Sequence, residues 1–156
     1  MADPVYNSPA AQFLVGLERY LQNKDTSTGT VQGNPRFGLS FAGIDTSNQP
    51  PAAFPAALIT PAAMQIGADQ ELVWPVHVSL LVPAAQARHG LLSLCDLQHQ
   101  LLRGLLEHGD QLADGWSMEQ AWGSDPQLIA YGDPNKATPR QLYYLAVVTI
   151  TAHELE

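Results

Sequence analysis

The chain has 156 residues, 46% of them hydrophobic, which suits one globular domain and excludes wholesale disorder. At this length roughly 70% of the unfolded surface can be buried, so a core forms without disulfide or metal staples. Charged residues make up 14% of the chain, 15 acidic against 7 basic, well below the usual ~25%. The basic side chains (Arg19, Lys24, Arg36, Arg88, Arg103, Lys136, Arg140) are scattered along the chain, an arrangement unsuited to gripping phosphates. The charge deficit has two readings: subunit contacts that cover part of the surface, or a surface rich in uncharged polar residues. The single cysteine, Cys95, excludes an intrachain disulfide and makes the cytosol the default compartment. The sequence lacks an 18-residue apolar run, and Met1-Ala2-Asp3-Pro4 lacks the pattern of a secretion signal. The terminal Leu155-Glu156 resembles the remnant of a cloned affinity tag. The expectation is a single domain over 1–156 with no membrane span.

Ser8-Pro9 supplies a cap and a first helical residue. Phe13, Leu14, Leu17, Tyr20 and Leu21 recur at helical spacing, so the first helix is expected over Pro9–Gln22. Asn23–Pro35 is rich in Thr and Gly and reads as a loop. Arg36–Phe41 alternates, with Phe37, Leu39 and Phe41 on one side, and is expected to be a short strand. A second loop follows over Ile44–Pro55, then a brief strand at Ala57–Thr60.

Leu72–Val82 gives the clearest strand, with Leu72, Trp74, Val76, Val78, Leu80 and Val82 on one face. Pro75 cannot donate to a ladder, so an edge position or a bulge is expected there. A leucine-rich helix starts at Ala84 or Leu91 and runs to His108, with Gly109 placed to end it. Leu91, Leu94, Leu97, Leu101 and Leu105 form its stripe, widened by Leu92, Leu102 and Leu106. A stripe that wide implies burial on more than one side. Further strands are expected at Gly115–Trp122, Gln127–Tyr131 and Arg140–His153. The last is apolar on both faces early on and is expected to be central or covered on both sides. The order predicts an α+β fold with a curved, mainly antiparallel sheet and two main helices.

Chemistry-bearing patterns are sparse. The five histidines include no H-E-x-x-H pair. Cys95 and His99 stand four apart on the second helix but lack a third ligand nearby in sequence. The expected state is a buried thiol among leucines beside a half-exposed histidine. Gly115-Trp116-Ser117-Met118-Glu119 lacks the second glycine of a nucleophile elbow. Gly29, Gly33 and Gly38 are too irregular for a phosphate loop, and Asp110, Asp114, Glu119 and Asp125 read as a solvated rim. The chain is therefore not expected to be an enzyme or to need a cofactor. Trp74 is expected in the core, while Trp116 and Trp122 are open between core and interface.

In element order the chain resembles the tail-terminator, or tail-completion, proteins of long-tailed phages and prophages. The resemblance rests on the helix Phe13–Leu21, the polar loops after it, the strand Val73–Val82 ending in proline, the helix Leu91–Leu106 and the closing strand Leu142–Thr151. It implies a structural virion protein in the tail or neck, assembled in the host cytoplasm as a hexameric ring. The ring caps the tail tube, stops its growth and offers a surface to the head–tail connector. Its expected partners are its own copies, the tube protein and the connector, with DNA passing through unbound. Lys24, Arg36, Phe54, Trp116, Trp122 and Arg140 are the candidate contact residues, and the acidic balance suits a conduit that does not retain DNA. A head–tail joining protein, a contractile-injection component and a small ligand-binding or enzymatic domain are the alternatives.

Overall fold

The computed structural model describes residues 6–44, 53–84, 87–131 and 141–155. Within them two helices, α1 (Pro9–Leu21) and α2 (Ala87–His108), join seven strands: β1 (Phe41–Ile44), β2 (Ala56–Pro61), β3 (Gln65–Ile66), β4 (Leu72–Pro83), β5 (Trp116–Gly123), β6 (Gln127–Tyr131) and β7 (Gln141–Glu154). The strands form one open sheet, ordered β1-β2-β4-β7-β5, with β3 beside β4 and β6 beside β7. Only β1 and β2 run parallel among these pairings. The fold is α+β, as the order of elements implies.

Two long antiparallel strands make the spine. β4 pairs β7 from Val73↔His153 to Pro83↔Tyr143. Each has a divided partner on its outer side, β2 then β3 along β4, and β5 then β6 along β7. Ser124 bridges the β5–β6 break: its N–H donates to the Val147 carbonyl and its Oγ accepts from Val147 N–H, both at 2.9 Å. Pro75 lies inside the sheet, contrary to the edge or bulge expected. The Pro75 carbonyl accepts from Ala62 N–H at 3.1 Å. Both main-chain groups of one strand residue point the same way, so the missing N–H faces the gap where β2 gives way to β3, and the β7 ladder loses nothing.

Both helices lie on one face of the sheet. Phe13, Leu17 and Leu21 of α1 and Leu94, Leu97, Leu101 and Leu105 of α2 close over Trp74, Val76, Val78 and Leu80 of β4 and Ala146, Val148 and Ile150 of β7. The Ser8 hydroxyl accepts from Ala11 N–H at 3.2 Å, capping α1 where the sequence places the cap. Side chains of α1 and of the residue that caps it also occupy free polar groups of the edge strand β1. Gln22 Nε2 donates to the Ala42 carbonyl at 2.8 Å, and Glu18 Oε2 accepts from Ile44 N–H at 2.7 Å.

The expected strand at Arg36–Phe41 is instead a helical turn, Arg36–Gly38, with β1 starting only at Phe41. Phe37 has φ +63° and Gly38 +72°, both left-handed, which no strand accommodates. The loop after α1 is tied down in two ways. Arg19 Nη1 donates to the Thr26 and Ser27 carbonyls at 3.2 Å each. Asp25 Oδ1 accepts from Ser27 Oγ (2.6 Å), Thr28 N–H (2.8 Å) and Ser27 N–H (2.9 Å). The Ser27 hydroxyl above all, then the two amides, hold the Asp25 carboxyl down from 3.8 to about 2. The folded pKa lies below the unfolded one, so the loop's contribution is present above pH 3.8 and is lost as pH falls through about 2. An NMR titration of the Asp25 carboxyl carbon should show its midpoint near 2; a midpoint near 4, the ordinary value for Asp to within about 0.2 units, would refute this turn.

Candidate functional site

The sequence-selected residues fall in different places. Trp116 is 8% exposed and packs on Phe13, with ring centroids 4.4 Å apart. It is a core residue, and its ring is not available to a neighbouring subunit. Phe54 stacks on Tyr143 at 4.5 Å and covers a small second cluster of Ala56, Leu81 and Tyr143. Lys24 is half-exposed and forms an isolated bridge with Val31. Arg36 lies 4.3 Å over the Tyr20 ring, and its Nε donates to the Tyr20 carbonyl at 2.7 Å. Trp122 is 44% exposed. Arg140 lies outside the described residues.

A bulge separates the two tryptophans. Met118 pairs Ala152 and Gln120 pairs Thr151, which leaves Glu119 as the extra residue. Strand side chains alternate with period two, so one inserted residue reverses which positions face the helices. Before the bulge Trp116 and Met118 face them; after it Ala121 does, and Trp122 turns to the opposite face.

On that opposite face no further layer of described residues covers the middle of the sheet. Registered rows cross it: Leu58, Ser79 and Val147, then Thr60, His77, Thr149 and Trp122. Neither row holds Asp, Glu, Lys or Arg. His77 Nδ1 lies 3.2 Å from Thr149 Oγ1, satisfied within its row.

The outer side of α2 is a second uncovered surface. The width of the leucine stripe implies burial on more than one side, yet the described residues bury only one. Leu91, Leu92 and Leu106 are 40%, 54% and 68% exposed. Positions 92, 95, 99, 102 and 106 repeat with the 3–4 spacing of a helix-packing seam, in which Leu102 packs against the core while exposed Arg88, Asp96 and Arg103 flank the rest. Cys95 belongs to this outer seam and is exposed, as is His99, so the expected buried thiol is overturned. The cause is angular: Leu94, Leu97 and Leu101 occupy the sheet-facing arc and turn Cys95 outward.

A cleft of about 280 Å³ lies between α1, the Arg36–Gly38 turn and α2, lined by Tyr20, Arg36, Phe37, His99, Arg103 and Glu107 among others. Gly104 forms its floor because a Cβ there would overlap the Tyr20 hydroxyl. Burial pushes the Tyr20 phenol up, with Arg36 pulling it back and Glu107 adding to the rise. Arg103 is paired with Glu107 at 3.3 Å. None of the described helices is long and apolar enough to cross a membrane.

The chain matches no protein-family model and no curated protein.

Proposed function

We propose that this chain is a structural subunit that works by assembling with copies of itself, in the manner of the phage tail terminators its element order resembles. One observation supports this above the rest: two surfaces lie on opposite sides of the molecule without cover from the described residues, the exposed leucines of α2, which stand among Arg88, Asp96, Arg103 and Glu107, and the uncharged middle rows of the Trp122 face of the sheet. Large apolar side chains that a chain leaves open can mark contact sites, and Leu91, Leu92 and Leu106 on α2 and Trp122 on the sheet are such side chains. A two-fold dimer uses one patch twice, whereas a ring joins one patch to a different one on the next copy. Two distinct patches on opposite sides meet the requirement for a ring. In the terminator reading, one rim of the hexameric ring matches the tail tube, the other offers no tube-binding surface, and growth stops there. The head–tail connector would meet that second rim, and DNA would pass through without specific contacts.

Size-exclusion chromatography with light scattering on the untagged chain tests assembly. The expected result is a closed oligomer that Leu92→Glu/Leu106→Glu reduces to monomers with an unchanged circular dichroism spectrum. A wild-type monomer at millimolar concentration would sink the reading. The terminator role has its own test: added to polymerising tube protein, the chain should arrest tube length, and unlimited growth would overturn that role.

A further inference from the structure

At the end of the uncovered face, where β4 begins and β7 ends, three side chains meet. His153 Nδ1 lies 3.3 Å from Glu71 Oε2 and 3.5 Å from Glu119 Oε1. One ligand atom from each of the three lies within 4.8 Å of the other two. Their positions are set by the sheet. His153 pairs across to Val73 on one side and Ser117 on the other. Glu71 ends the turn in which Gly67 N–H donates to its carbonyl at 2.8 Å. Glu119 is the bulge residue, released from the ladder and so turned toward His153.

As a hydrogen-bonded group this arrangement is unbalanced. A protonated Nδ1 carries one hydrogen and serves one carboxylate at a time, while two carboxylates converge on it. A divalent cation corrects the mismatch, because it takes the nitrogen lone pair and an oxygen from each carboxylate together. Zinc bonds of about 2.0–2.2 Å to N and O make tetrahedral edges of about 3.3–3.6 Å. Both N···O separations fall in that range.

We propose that Glu71, Glu119 and His153 form a binding site for a zinc-class transition dication. Imidazole nitrogen selects this class over magnesium and calcium, which favour all-oxygen shells. Three protein ligands leave a fourth position open. The site belongs to the single chain and is independent of whether copies assemble.

The test is calorimetric titration of the untagged full chain with Zn²⁺, in a Cys95→Ser background that removes the exposed thiol on α2. One saturable equivalent is expected. Binding should be lost in His153→Ala and weakened at least about tenfold in the isosteric Glu119→Gln and Glu71→Gln, since even outer-shell changes weaken metal binding 10–100-fold. His77→Ala should bind as the parent does. In the protein with Cys95 intact, bound Co²⁺ should show d–d bands without a thiolate charge-transfer band. Zinc affinity unchanged by both His153→Ala and Glu119→Gln would overturn the site. So would the absence of any saturable heat, or displacement of zinc by equimolar Mg²⁺, either of which would leave only a hydrogen-bonded cluster.

Discussion

Gly16→Ala is expected to destabilise the chain by about 3 kcal/mol, at the upper end of the range for overpacking a tight core. A Cβ at Gly16 would overlap the Leu112 carbonyl oxygen and lie 2.7 Å from the Leu112 carbonyl carbon. Both are backbone atoms of the segment that follows the Gly109–Gln111 turn, where Leu112 N–H donates to the Gly109 carbonyl at 3.2 Å. Relief therefore needs α1 or that segment to move, and α1 is held by Phe13, Leu17 and Leu21 in the core. Helix propensity acts in the other direction, since alanine inside a helix is favoured over glycine by about 1 kcal/mol. The clash must exceed this gain for the loss to appear. Urea denaturation is the measurement, with an unchanged m-value and a lower midpoint expected. Gly104→Ala is the comparison. Its Cβ would meet the tip of the Tyr20 side chain, which can shift, so a loss of no more than about 1 kcal/mol is expected. Equal effects at the two positions would contradict the packing of α1 on Leu112.

The same glycine shows where the sequence is informative and where it is not. Periodicity places α1 to within one residue, because Phe13, Leu17, Tyr20 and Leu21 need one buried face whatever they pack against. It does not reveal what lies opposite Gly16, and propensity alone would choose alanine there. β4 and β7 are legible for a related reason, since a two-residue period sustained over a dozen residues fits a pleated strand and does not fit a helix. Short alternation is weaker. Phe37, Leu39 and Phe41 mimic a strand, yet Phe37 closes a left-handed turn under the Tyr20–Arg36 stack. On α2 the leucine pattern alone shows a stripe too wide for one buried face. That the excess stays open, taking Cys95 with it, depends on how many elements the chain supplies to cover it. Among the candidate contact residues, Arg36 and Trp122 reach surfaces, whereas Trp116 is interior. The Glu71, Glu119 and His153 cluster has no signal in spacing, because its members lie on three separate segments that only the β4–β7–β5 register brings together.

Trp116 and Trp122 then give opposite expected results for one type of substitution. Trp116→Ala should lower stability by about 3–5 kcal/mol, the usual range for removing a buried aromatic ring. It empties the space against Phe13 and beneath Gly109. Trp116→Phe should lose far less. The indole N–H is buried and has no hydrogen-bond partner among the described residues, so phenylalanine forfeits ring volume without breaking a polar contact. Trp122→Ala removes a half-exposed ring from the uncovered face and should change monomer stability by no more than about 0.5 kcal/mol. Its effect should appear in assembly instead, because exposed tryptophans at contacts carry a large share of binding energy. Urea midpoints and light scattering on the same three proteins separate these outcomes. The contrast rests on the bulge at Glu119. In an unbroken strand the two rings, an even number of residues apart, would share one face, and both alanine variants would lose stability together. A large stability loss in Trp122→Ala would therefore count against the β5 register, and with it against both the open sheet face and the position of Glu119 beside His153.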